Sequence, residues 1–205
     1  MNAKSLDAIV AQHDLNEHPF YRAWREGKLP RAKLAEYASE YAPFVDSIEL
    51  GWRSVGRVDH AEVERQHARL WDEFRHALGP AALAPSVCPQ AKQLVDEVGR
   101  SFADPVEALG ALFAFEAQQP STARSKLDGL REHAAVYGVP EDKRAYFRVH
   151  ADDYGEREQL RGLVERLTPD DGARVAAACE RACKAMWSAL GGILGESACP
   201  TSLAI

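Results

Sequence analysis

Apolar positions recur every three or four residues through most of the chain, and no hairpin dipeptide or alternating run of β-branched residues interrupts them. That period belongs to helices lying on a core, so the expected class is all-α. In PRAKLAEYASEYAPFVDSIELGW, Pro30 suits a first helical position, and Leu34, Tyr37, Tyr41, Phe44, Val45 and Ile48 mark one face. The helix they describe must bend near Pro43, which has no N–H to donate. Asp59-His60-Ala61-Glu62 has the form of a capping box, with Asp59 as N-cap of a helix running to Gly79-Pro80. PAALAPSVCPQ reads as a connection. Helical spacing resumes from Ala91 to Phe102 and from Pro105 to Gln119, with a stop or kink at Pro120. It continues through STARSKLDGLREHAAVYG and PEDKRAYFRVHADDYGEREQLRGLVERL, and ends in a helix from Pro169 through Gly191. The pattern predicts a compact bundle of about seven to eight helices forming one domain over residues 1–205, without repeats.

Of 205 residues, 46% are hydrophobic and 27% charged, a balance that supports a packed core. The 31 acidic residues outnumber the 25 basic ones, giving a formal charge of −6, and no basic run or stripe offers a footprint for phosphate backbones; nucleic acid is not an expected partner. No apolar stretch reaches signal-peptide or membrane-span length, so no membrane partner and a cytoplasmic location are expected. Cys179 and Cys183 lie one turn apart on an apolar face and read as buried small hydrophobes; Cys88 and Cys199 stand apart, and no zinc spacing occurs.

Candidate chemistry sits in three places. Glu64 and His67 are three apart, so both face one side of a helix, in a stripe that also holds His60 and Trp71. His150, Asp153 and Glu156 repeat the interval. Glu116 is a lone carboxylate inside LGALFAFEAQQ, a stretch too apolar for an unpartnered charge. Bundles that bind pairs of iron or manganese ions project such Glu-x-x-His pairs and single glutamates inward. Each residue also has a plainer reading: a surface pair for Glu64 and His67, a salt bridge for Glu116, a core histidine for His150, and a solvated face for Asp152, Asp153, Glu156 and Glu158.

HPFYRAWREGKLPRAKLAEYASEYAPFV resembles the opening of the haem-oxygenase-like helical proteins, which include TenA-type thiaminases, the pyrroloquinoline-quinone synthase PqqC and the CADD-like oxygenases. HARLWDEFRHALG, FEAQQPSTARSKLDGL and AYFRVHADD resemble the CADD-like branch in order and separation. The resemblance implies a bundle without haem and a non-haem iron site, di-iron or iron–manganese, that activates dioxygen against a small molecule or the protein's own tyrosine. It also implies a homodimer. Its ligand set is three histidines and three carboxylates, of which His67, Glu116 and His150 match directly. His60 stands where the set has a glutamate, and Tyr154 and Arg157 stand at the last two ligand spacings. A one-residue deletion would bring Asp153 and Glu156 to those spacings instead. About four helical turns are missing between Tyr41 and His67.

Some CADD-like members make p-aminobenzoate from an internal tyrosine and a lysine. The resemblance assigns these roles to Tyr21 and Lys126; a tyrosine that often accompanies them is Phe115 here. The plainer readings are a packed aromatic for Tyr21 and an exposed lysine paired with Asp128 or Glu132 for Lys126. Trp24, Tyr37, Tyr41, Phe44, Phe113 and Phe115 are candidates for a substrate-facing aromatic wall. Two other functions fit the same residues. One is a metal-free enzyme in the manner of TenA or PqqC, with His67, Glu116 and His150 handling protons; the other is a catalytically decayed binding protein.

Overall fold

The computed structural model describes residues 3–152 and 154–195. Its helices are α1 (Ala3–Ala11), α2 (Pro19–Arg25), α3 (Arg31–Glu40), α4 (Ala42–Ser54), α5 (Val58–Leu78), α6 (Pro89–Phe102), α7 (Pro105–Glu116), α8 (Gln119–Glu132), α9 (Ala134–Tyr137), α10 (Ala145–Ala151), α11 (Glu156–Val164) and α12 (Pro169–Leu194). Short 3-10 turns occupy Leu15–Glu17, Pro80–Leu83 and Glu141–Arg144, and the described residues contain no strand. Asp153 and Cys199 lie outside the described residues.

Helix α7 is apolar around its whole circumference, so it can be stable only inside the bundle. There it is surrounded by α12, α6, α4 and α11. Gly110 permits the closest of these approaches: a Cβ at this position would run into the backbone of α12 at Val175 and Cys179. The interior position of α7 places Glu116, its last residue, deep in the molecule. Beside it lies an aromatic core in which Trp24 stacks on Phe74 and meets Tyr37, Tyr137 and Phe147.

The expected bend is the Tyr41 joint between α3 and α4, with Pro43 in the first turn of α4. The connection after α5 contains the Pro80–Leu83 turn and is fastened by the buried Glu40 carboxylate, which accepts bonds from the backbone N–H groups of Val87 and Cys88 and from the Ser86 hydroxyl. The capping box is not formed. Helix α5 begins two residues earlier than that cap implies, at Val58, with Arg57 in the cap position; Asp59 turns back to bond Arg57, and Glu62 bonds Arg65 instead of the helix end. The helix expected to continue past His150 is also corrected. α10 stops at Ala151, Asp152 is extended, Gly155 adopts φ 83°, and Glu156 opens a separate helix. His150 and Glu156 therefore do not share one side of a helix.

The sequence His18-Pro19-Phe20 has a structural cause. His18 caps α2, its Nδ1 accepting the Phe20 N–H at 3.0 Å, while Pro19 takes the first helical position. Among the described residues, no helix is long and apolar enough to cross a membrane.

Candidate functional site

Glu64 and His67 project from one face of α5, and α10 carries His150 against them. One ligand atom from each of the three lies within 4.8 Å of the others. His67 Nδ1 is 3.1 Å from Glu64 Oε1, and the His67 and His150 rings meet edge-on at 4.4 Å. His150 Nδ1 is fixed by the Tyr146 carbonyl at 2.8 Å, which fits a protonated Nδ1 and leaves Nε2 as the free lone pair. That Nε2 is buried without a hydrogen-bond partner among the described residues; Glu64 Oε2 is 4.0 Å away. Burial pushes the Glu64 carboxyl up, but His150 and His67 outweigh it and hold the group below the usual carboxylate range.

Glu116 reaches the same small cavity, of about 20 Å³, together with Glu156. Its Oε1 accepts the Trp52 indole N–H at 3.1 Å. Burial, then the neighbouring charges of Glu64 and Glu156, push the Glu116 carboxyl far above its usual range. No Arg or Lys pairs with Glu116 among the described residues, so the salt-bridge reading does not hold. Four carboxyl side chains (Glu64, Glu116, Asp152 and Glu156) and two imidazoles around a space for one water-sized occupant form a donor set suited to iron or manganese, and the Nε2 lone pair of His150 has no partner among the described residues.

The remaining sequence candidates divide. His60 lies outside the triad: its ring stacks on Trp52 at 4.6 Å, and Nδ1 is engaged by Asp59 and Arg57. Tyr154 is exposed, and Arg157 is held by Asp7, so neither occupies a ligand position in the triad. Tyr37, Tyr41 and Phe115 line a common cavity, whereas Trp24, Phe44 and Phe113 belong to the core and do not line it.

A second small cavity, also about 20 Å³, is lined by Tyr21, Tyr37, Tyr41, Phe115 and Lys126 among others. Lys126 is buried rather than exposed, and its Nζ lies 4.3 Å over the centroid of the Tyr21 ring and 5.9 Å over that of Tyr37. Desolvation alone brings its amine down to about 7. The Tyr21 and Tyr37 hydroxyls are hydrogen-bonded at 2.9 Å. Burial, reinforced by neighbouring tyrosines, pushes the Tyr21 phenol well above its usual range.

Gln119 and Tyr146 join the two cavities. Gln119 lines both, and its side-chain amide is 3.3 Å from the Tyr146 hydroxyl. The Tyr146 ring lies 4.2 Å from the ring of His150, one turn along α10. Sequence reasoning missed Gln119, Tyr146 and Trp52. Only the two adjacent glutamines after Glu116, at the end of an apolar helix, carried a polar signal.

A family described as iron-containing redox enzymes matches residues 56–187. A 4-aminobenzoate synthase of Nitrosomonas europaea is 34% identical over 93% of this chain and 89% of its own length. A 4-aminobenzoate synthase of Chlamydia muridarum is 28% identical over 95% of this chain and 90% of its own. In fold, the chain is similar to a TenA homologue of Pseudomonas syringae, with a TM-score of 0.77 at 15% identity over 94% of this chain and 92% of that one. It is likewise similar to a CADD-like protein of Nostoc punctiforme, with a TM-score of 0.65 at 20% identity over 94% and 95%.

Proposed function

The chain belongs to the family of iron-containing redox enzymes, and we propose that it is an iron-dependent oxidase that makes 4-aminobenzoate from its own Tyr21 and Lys126. Glu64, His67 and His150 would hold the metal, with Glu116 and Glu156, which line the same cavity, completing the donor set. Asp152 lines the same cavity, and Asp153 lies outside the described residues. Iron, alone or with manganese, supplies oxidising chemistry with dioxygen when bound.

One observation carries the choice of ring source. The Tyr21–Lys126 cavity measures about 20 Å³, whereas an apolar cavity of about 150 Å³ is what a benzene molecule occupies. A free ring compound has no room there, which disfavours a metal-free enzyme acting on an external ring. The ring already present under the amine is that of Tyr21.

The chemistry of the two side chains agrees. Tyrosine carries oxygen para to Cβ, and 4-aminobenzoate carries nitrogen para to its carboxylate carbon. The conversion therefore needs a nitrogen at the ring carbon bearing the hydroxyl and scission beyond Cβ. Lys126, desolvated and free of carboxylate partners, offers an unprotonated amine near neutral pH. Tyr37 anchors the Tyr21 hydroxyl, and the small, largely aromatic cavity leaves room for no more than about one water.

The test is a single aerobic incubation of the full chain loaded with Fe(II), alone or with Mn(II), under reductant. The expected result is at most one 4-aminobenzoate per chain, with matching loss of the intact Tyr21 and Lys126 peptides by mass spectrometry and no product from Tyr21→Phe or Lys126→Ala. Many turnovers with both residues intact would overturn the assignment. Size-exclusion chromatography with light scattering tests the accompanying expectation of a homodimer, and fractionation of the producing cells tests a cytoplasmic location.

A further inference from the structure

Both buried cavities share a neighbour at the surface. A cleft of about 200 Å³ lies between α1 and the junction of α7 with α8. Gln118 lines both this cleft and the Tyr21–Lys126 cavity, and Arg157 lines both the cleft and the carboxylate–imidazole cavity. Each inner space thus shares one lining side chain with the outer one.

Arg157 is incompletely used. Its Nη2 and that of Arg161 each bond one oxygen of Asp7, both at 2.7 Å, so two guanidiniums share one carboxylate. Arg161 has a second carboxylate partner in Glu158, whereas Asp7 is the one carboxylate that Arg157 meets among the described residues; the Nε of each is buried without a hydrogen-bond partner. Arg157 can exchange Asp7 for another carboxylate while Arg161 keeps Asp7 and α1 in place. The other acid of the cleft, Asp14, is engaged as the cap of the Leu15–Glu17 turn.

We infer that the cleft is a binding site for a small single-ring carboxylate, the product of the reaction proposed above, with Arg157 as the group that takes its carboxylate. The inference rests on that reading. Size supports it, because a ring formed in a space of about 20 Å³ needs a larger one on its way out, and the cleft offers about 200 Å³. Charge supports it as well. The metal cavity presents the acidic side chains of Glu64, Asp152 and Glu156, which disfavour an anion, while Arg157 is the cation in its lining.

The experiment is calorimetric titration of the metal-free full chain with 4-aminobenzoate and, separately, with aniline, which keeps the ring and amine but lacks the carboxylate. Expected are binding of 4-aminobenzoate at least about tenfold tighter than aniline, a loss of about tenfold in Arg157→Gln, and a loss under about threefold in Arg161→Gln. Asp7→Asn, which frees Arg157, should tighten binding. Equal affinity for aniline, or undiminished affinity in Arg157→Gln with native circular dichroism, overturns the site. If Arg157→Gln does not fold, unchanged or weakened binding in Asp7→Asn does the same. Synthesis without such binding defeats this inference alone, and binding without synthesis defeats only the earlier reading.

Discussion

Lys126 Nζ stands 4.3 Å over the centroid of the Tyr21 ring, in a cavity whose walls contain no carboxylate. Without an anion to hold its proton, the amine is governed by desolvation, which brings it to about 7. The Tyr21, Tyr37 and Tyr41 phenols are pushed the other way by burial and stay protonated throughout the neutral range. The nucleophilic form of Lys126 should therefore grow about tenfold between pH 6 and pH 8. Single-turnover loss of the intact Lys126 peptide, followed at those two pH values, should rise by a similar factor. A rate independent of pH would contradict the unprotonated amine.

The same burial carries a stability cost with a defined sign. In the folded chain the amine gives up its proton near 7, against 10.5 in the exposed chain, so the unfolded state binds more protons between these values. Stability should rise with pH across that window. Lys126→Met removes the cost, and we expect it to stabilise by on the order of 4 kcal/mol at pH 7, the gain shrinking toward pH 9. Urea denaturation of both proteins at the two pH values measures this. A gain that grows with pH would refute it.

The triad predicts an ordering of metal losses. Glu64→Ala and His150→Ala each remove a converging donor and should lower iron retention by about a hundredfold. His60→Ala should leave it unchanged, because that imidazole stacks on Trp52 and is engaged by Asp59 and Arg57. Elemental analysis after gel filtration of Fe(II)-loaded proteins tests the ordering. A loss in His60→Ala equal to that in Glu64→Ala would place His60 in the donor set after all.

Much of this was legible in the sequence, for identifiable reasons. Helical period alone reports burial of a face, and the isolation of Glu116 in an apolar run announced a carboxylate that needed company. Where two readings of a residue depended on its distant neighbours, the pattern could not choose. Lys126 looks the same on paper whether paired with Asp128 or sealed over Tyr21. Tyr146 looks like any core aromatic at helical spacing, although α10 sets it against His150. The start of α11 hinged on Gly155, whose positive φ stands at the cap of the new helix, and a glycine within an otherwise helical pattern does not declare which conformation it will take. Asp59 was misread because Arg57, two residues back, competes for the carboxylate that would have capped the helix.

His18 offers a last prediction, remote from the metal. Its Nδ1 accepts the Phe20 N–H at the start of α2, which it can do only unprotonated, and its ring is fully enclosed against Trp187. Burial lowers its pKa from 6.5 to about 4, against a smaller upward pull from the Trp187 backbone. The unfolded chain then binds the extra proton first, so the stability contribution is present above about 6.5 and is lost as the pH falls toward 4. The loss should amount to on the order of 3 kcal/mol. His18→Asn keeps a side-chain acceptor at the cap but cannot titrate, so it should flatten the acid limb of the stability curve even though packing against Trp187 suffers. Urea midpoints at pH 7 and pH 4.5 for both proteins decide the matter: an equal drop in the two would mean that other groups, and not this cap, set the acid sensitivity.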